Sequence, residues 1–535
     1  MQQRSRFLAL MSAIVLLGSV CYGATISGTV KGVDGAPFQG AFVEAQNSKT
    51  KITVNVLSDS QGHYRIEKLP AGEYRLVIRA VGFTADPRSG VNLTADQNTS
   101  FDFALQKGTV RWSDISQSQG KQLFPPGKGK DLIVQNCSIC HGFQSRMAAV
   151  RRDADGWKDR VEYMRTAMHY SLYHLTDQEA DEIESYLTKL WGPDSVLPKS
   201  PADMPEYKAT VRPFSNDAMN IVYVEYDMPG PSRMPFSAAP DKDGNLWIPN
   251  FGVANKITRL NPNTGEMQDF QVPFQGTAGI HSAVPAADGS VWLTEQGSNM
   301  LGRWDPVTQK ITEFQDPYTP GKEGTEAGGE KHTVRLDPSG NAWASGAPLA
   351  KFDLETKKFT NFDEVPHVYD VKPDKNGDVW FTNQGQNKIG KVDGKTMKIT
   401  QWTMPTDNSY PRRMEIGSDG IIWIDEFNSG KMARFDPKTQ TFKEYTLPGP
   451  DPTPYALGID ADGNIWYDSH RQDVMGRLDP KTGKVTEYPF PHPELAMREF
   501  FRDTQGRMWY GTNPNNKVGY FYLTGKSAGT NSSGN

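Results

Sequence analysis

From residue 24 to about 106 the chain alternates apolar and polar positions, as in "ISGTV", "AFVEAQ", "HYRIEKL" and "EYRLVIRA", with Gly, Asp and Pro turns between. A period of two over such short runs predicts a small antiparallel β-sandwich over residues 24–106. The period then lengthens. Over residues 107–192, "KDLIVQNCSICH" reads as a short helix, and Trp157, Val161, Met164 and Met168 recur at helical spacing. Thr176 and Glu179 form a capping box before "ADEIESYLTKLW", where Ile183, Leu187 and Leu190 share one face. A small helical domain is expected here, followed by a stiff proline-rich linker at 193–219.

From 220 to 525 the sequence repeats. "DGNLW" recurs as "DGSVW", "SGNAW", "NGDVW", "DGIIW", "DGNIW" and "QGRMW", placing Trp247, Trp292, Trp343, Trp380, Trp423, Trp466 and Trp509 at intervals of 45, 51, 37, 43, 43 and 43 residues. Seven such units of short strands predict a seven-bladed β-propeller. Each of the first six units ends in a strand with an aromatic near a proline, as in "DFQVP" and "TEYPF", giving Phe270, Phe314, Phe362, Trp402, Tyr445 and Tyr488, whereas the seventh has no such copy after Trp509. The missing copy is Tyr226, ahead of the first unit, so the strand around it should complete the seventh blade. The fold class is therefore multidomain and mainly β: a sandwich, a small α-helical unit and a propeller, with a disordered tail at 526–535.

The first 23 residues change the setting. Arg4 and Arg6 precede the apolar run "FLALMSAIVLLGSV", which reads as a secretory signal peptide, and no later stretch is apolar enough to span a bilayer. A periplasmic or secreted protein without a transmembrane segment is expected. Removing that segment takes away Cys21 and two of the positive charges from a chain whose formal charge is already −5. Nucleic acid is thereby excluded as a partner.

Only Cys137 and Cys140 then remain, in "QNCSICHGF", where His141 completes C-x-x-C-H. Two thiols able to add to porphyrin vinyl groups, next to an imidazole able to ligate iron, predict covalent haem c. A redox dithiol or a half zinc site would need surroundings that are not visible here. The helical surroundings resemble a class I cytochrome c, which implies a mono-haem centre with a periplasmic redox partner. Met164 is the first choice for the second axial ligand, with Met168, His169, Met147 and His174 as alternatives.

In the propeller, residues eleven before and three after each tryptophan lie symmetrically about the intervening turn and should face each other near one mouth of the channel. The first set is Phe236, His281, His332, Tyr369, Arg412, Tyr455 and Arg498; the second is Asn250, Glu295, Gly346, Asn383, Glu426, Ser469 and Thr512. So many polar and aromatic groups at equivalent points predict a small-molecule site. His281 with Glu295, and Arg412 with Glu426, would alternatively be cross-strand pairs that satisfy each other.

Two resemblances add to this. "GTVKGVDGAPFQGAFVEA" and "SDSQGHYRIEKLPAGEYRLVIRAVGF" resemble the carboxypeptidase regulatory-like domain, which implies a spacer or adhesion module. "DGSVWLTEQGSNMLGRWDPVTQKITEF" resembles blades of the virginiamycin B lyase family, which implies elimination across the ester of a cyclic depsipeptide, with magnesium. By that pattern His281 orients substrate, His332 is the base and Glu330 a metal ligand in "GGEKHTV". Gly346 stands where the family has a glutamate, and Glu295 is the nearest substitute. The long segment "DPYTPGKEGTEAGGEK" between these blades is expected to reshape the mouth.

Overall fold

A computed structural model describes residues 23–139, 141–166, 175–318 and 330–525. The expected signal segment up to residue 22, Cys140, Met168, His169, His174 and the tail lie outside the described residues.

Seven four-stranded units follow one another from Ala239 onward, and their innermost strands touch in a closed cycle, the last against the first. The repeated turn explains how each begins. Its glycines, Gly244, Gly289, Gly340, Gly377, Gly420, Gly463 and Gly506, all have φ between 79° and 87°, a conformation that side chains with a Cβ disfavour. In five units an aspartate six residues before the tryptophan accepts its indole N–H, as Asp503 does from Trp509 at 2.8 Å. Each tryptophan packs on the aromatic of its unit's outer strand, Trp247 on Phe270 at 5.5 Å for example. For Trp509 that partner is Tyr226, at 5.9 Å. Strand Ile221–Asp227 pairs with Lys517–Leu523 and closes the ring at the position the repeat assigns to it.

The sandwich is not a detached spacer. Its strand Thr53–Leu57 pairs antiparallel with the free edge of Ile221–Asp227, so the seventh blade and one sandwich sheet form a continuous eight-stranded sheet. One core runs through both, joining Ile26, Leu76 and Leu93 to Val222, Tyr226 and Trp509. At the seam, fully buried Glu225 accepts from Asn55 Nδ2 at 3.1 Å and from Tyr510 at 3.3 Å, and lies 2.7 Å from His492 Nε2. Burial would push the Glu225 carboxyl up, but His492 and Lys517 outweigh it and hold it below its ordinary value.

The helical unit packs Trp112, Phe124, Phe143 and Trp191 against Leu123, Ile183 and Leu187. Helix Asp177–Trp191 starts at the predicted capping box, Thr176 Oγ1 accepting from Glu179 N at 3.2 Å. The proline-rich segment does not stand free. Arg212 donates to Gln472 Oε1 at 3.1 Å and pairs with Glu487, while Gln119 donates to Thr210 Oγ1 at 3.2 Å. The segment is thereby clamped between the helical unit and the sixth blade.

Candidate functional site at the propeller mouth

The residues eleven before each tryptophan do converge. Phe236 meets His281 at 4.8 Å between ring centroids, His281 meets His332 at 3.7 Å, and His332 meets Tyr369 at 4.3 Å. The Arg412 guanidinium then lies over Tyr369 at 5.3 Å and Tyr455 at 4.5 Å, and Arg498 over Tyr455 at 4.7 Å and Phe236 at 5.3 Å. Seven side chains, one per blade, thus form an unbroken ring of aromatic and cation–π contacts.

The residues three after each tryptophan do not join it, which corrects the expected cross-strand pairing. In the second to sixth blades a one-residue β-bulge shifts the register, so that Ile280, not His281, faces Glu295, and Pro411, not Arg412, faces Glu426. Glu295 instead accepts from Ser298 Oγ at 3.0 Å, and burial reinforced by Glu313 pushes its carboxyl to about 7. Glu426 accepts from Ser429 Oγ at 2.6 Å and rises to about 7 by burial, with Glu444 adding to it. The expected pairs satisfying each other are therefore absent, and Glu295 is turned to its own blade's outer strand.

The bulge has a local cause. Two residues after the tryptophan stands a short acceptor, Thr294, Ser345, Thr382, Asp425 or Asp468, which takes the N–H of the bulged segment: Ser282 N to Thr294 Oγ1 is 3.0 Å, and Arg413 N to Asp425 Oδ1 is 2.8 Å. The same hydroxyls donate to the ring residue of the next blade, Thr294 to His332 O at 2.8 Å and Ser345 to Tyr369 O at 2.8 Å. The bulge brings two successive residues to the channel where a flat strand would bring one. Beneath the ring, Arg413 donates to Thr333 Oγ1 at 2.7 Å and lies 3.0 Å from Glu499, whose carboxylate also accepts from Arg335 at 2.6 Å.

This positive interior fixes protonation. Burial, then Arg413 and Arg498, holds His281 well below its ordinary value; burial, then His281 and Arg413, does the same for His332. His332 donates from Nδ1 to Tyr369 O at 2.9 Å, leaving Nε2 unprotonated. Glu330, half-buried, accepts from Gln296 Nε2 at 3.2 Å. Among the described residues no three His, Cys, Asp or Glu side chains converge on one point. Asp316 and Lys331, both fully buried, pair at 2.6 Å across the base of the long inserted segment.

The C-x-x-C-H segment lies directly against this mouth. Glu494, in the loop leading to the seventh blade, accepts from Gly142 N at 3.0 Å and Ser145 N at 2.9 Å. Gln144 donates to Asp473 Oδ2 at 2.9 Å, Arg471 donates to Val134 O at 3.4 Å, and Ser118 N donates to Arg471 O at 2.7 Å. Arg498 is near enough to help burial and Arg146 lower the His141 imidazole to about 4.

Of the three residues expected to hold a haem, Cys137 and His141 lie among the described residues. Cys137 ends the turn Ile133–Cys137 and is half-buried against the helical core. His141 donates from Nδ1 to Gly142 O at 2.8 Å, the bond that orients a ligating imidazole and leaves Nε2 for iron. The adjoining cavity is walled by Phe124, Phe143, Met147, Leu190 and Trp191. Met147 is thus brought beside the motif, whereas Met164 sits half-buried on helix Ala154–Thr166.

Comparisons with known proteins bear on the fold. The carboxypeptidase regulatory-like domain profile matches residues 25–106, and that of the virginiamycin B lyase family matches residues 351–530, beginning after His281, Glu330 and His332. No curated protein matches the chain. A streptogramin B lyase structure is 22% identical, covering 58% of this chain and 100% of that one with a TM-score of 0.52. The virginiamycin B lyase of Staphylococcus aureus is 20% identical, covering 57% of this chain and 99% of that one with a TM-score of 0.50. The chain therefore joins a carboxypeptidase regulatory-like domain to a virginiamycin B lyase-like propeller.

Proposed function

We propose that this is an exported mono-haem protein in which electron transfer at a c-type haem on Cys137, Cys140 and His141 is coupled to a small molecule bound at the propeller ring. When bound, the haem supplies one-electron chemistry. His141 would ligate the iron, and a methionine, Met164 or Met147, as second ligand would favour a higher potential than a second histidine. The ring residues Phe236, Tyr369, Tyr455, Arg412 and Arg498 offer flat apolar faces and positive charge for a substrate. A periplasmic redox partner then takes or supplies the electron.

The observation that carries this reading is Glu494. It accepts from both Gly142 N and Ser145 N, just after the C-x-x-C-H motif, and stands four residues before ring residue Arg498 in the same loop. The experiment is the visible spectrum of the purified mature protein in alkaline pyridine. One c-type haem per chain, retained through acid–acetone extraction, is expected; a spectrum without it sinks the proposal.

A second reading, a carbon–oxygen lyase, rests on the stacked His281 and His332. His332 Nε2 would take the acidic α-proton of a cyclic depsipeptide while His281 orients it. Gly346 in place of a glutamate weighs against it. Ring opening of a streptogramin B by the wild type that is lost in His332→Ala would move the assignment to this reading.

A further inference from the structure

We infer that the junction between the propeller ring and the helical unit, built by Arg412, His470 and Arg498, is a site for a carboxylate. Arg412 is 3% exposed, and its guanidinium is caged by Phe427 at 3.7 Å, Tyr455 at 4.5 Å, Tyr410 at 5.2 Å and Tyr369 at 5.3 Å. Among the described residues its Nε and Nη1 have no hydrogen-bond partner. His470 is fully buried between Phe427 and Tyr455, and neither of its nitrogens has a partner there. The charges around His470 are Arg498, Arg412, Arg471 and His141.

Asp425 and Asp468 lie near enough to act on Arg412 and Arg498 through charge, but among the described residues no acid hydrogen-bonds Arg412 Nε or Nη1 or either nitrogen of His470. Asp425 accepts from the backbone of Arg412 and Arg413, Asp468 from Ala456 N, and Glu494 from Gly142 and Ser145. Asp451 pairs with Lys121 and Arg471, and Glu499 with Arg335 and Arg413. Buried cations are normally paired and buried donors normally bonded, so the donors left over on Arg412, with the single N–H of neutral His470 beside them, mark where an anion belongs. A planar guanidinium between aromatic faces suits a flat carboxylate on an unsaturated or aromatic body.

That carboxylate has two sources, a free small molecule or a propionate of a haem held at Cys137 and Cys140. The second rests on the haem reading given above, whereas the first does not. Calorimetric titration of the full chain with benzoate separates them. If the haem-loaded wild type binds benzoate at one site, and Arg412→Gln weakens it by at least about tenfold, the site takes a free carboxylate. If only the haem-free Cys137→Ala, Cys140→Ala chain binds benzoate, again through Arg412, the haem propionate fills the site. Arg412→Lys, which keeps the charge, should bind better than Arg412→Gln at an equal melting temperature, excluding misfolding as the cause. No benzoate binding in either chain, or binding as tight in Arg412→Gln as in the wild type, overturns the inference. That result would leave the haem proposal standing wherever the pyridine spectrum shows haem, while binding by a wild type that proves haem-free would end the haem proposal and keep the site.

Discussion

A chain with Cys137→Ala and Cys140→Ala should be exported without any covalent haem yet keep its propeller. The thioether bonds have no substitute, so haem staining after denaturing electrophoresis should fall from one haem per chain to none. The blades should survive because their apolar clusters contain no residue between 107 and 192. The helical unit is a different matter. Its small core is built around Phe124, Phe143 and Trp191, which also wall the cavity beside the motif, so it should unfold at lower denaturant than in the loaded protein. A single unfolding transition at the wild-type midpoint, with haem still attached, would be incompatible with this assignment.

Glu499→Gln should lower the free energy of unfolding by about 3–5 kcal/mol, the usual penalty for leaving a buried charge without its partner. Glu499 is 3% exposed and is shared by Arg335 and Arg413 at the centre of the channel. Burial would raise its carboxyl, but Arg335, Arg413 and Lys372 outweigh burial and hold it at about 2. A carboxyl depressed from its ordinary 4.5 stabilises the fold fully above that value, and the contribution fades as pH falls from about 4.5 towards 2. Urea midpoints of wild type and variant should therefore be far apart at pH 7 and draw together in acid. A gap that does not change with pH would contradict the role given to this carboxylate.

Much of the propeller is legible because it repeats. Turn glycine, tryptophan and outer-strand aromatic recur at fixed offsets, and the absence of that aromatic after Trp509 is enough to locate Tyr226 across the seam. The ring of seven residues follows from the same offsets. Its orientation does not, since simple alternation sends Glu295 and Glu426 to the ring, whereas the bulge turns them away. The bulge itself leaves a trace in the threonine, serine or aspartate two places after five of the tryptophans, a repeat confined to the bulged blades. The junctions between units have no such period. Gly142 and Glu494 are 352 residues apart, and the sheet joining Thr53–Leu57 to Ile221–Asp227 depends on an edge left open only after the ring has closed. For the same reason a proline-rich segment reads as a spacer, although Arg212 ties it to Glu487.

The central claim is that the haem is held against the ring, and the most direct measurement is the midpoint potential of the haem in full-length wild type and in Arg498→Gln. Arg498 acts on His141 across the junction, and a nearby cation disfavours the ferric state, which carries one more positive charge than the ferrous. Removing it should lower the potential by an amount on the order of tens of millivolts, with haem content unchanged. A potential identical in the two proteins would mean that the haem lies away from the ring, and that helical unit and propeller work separately.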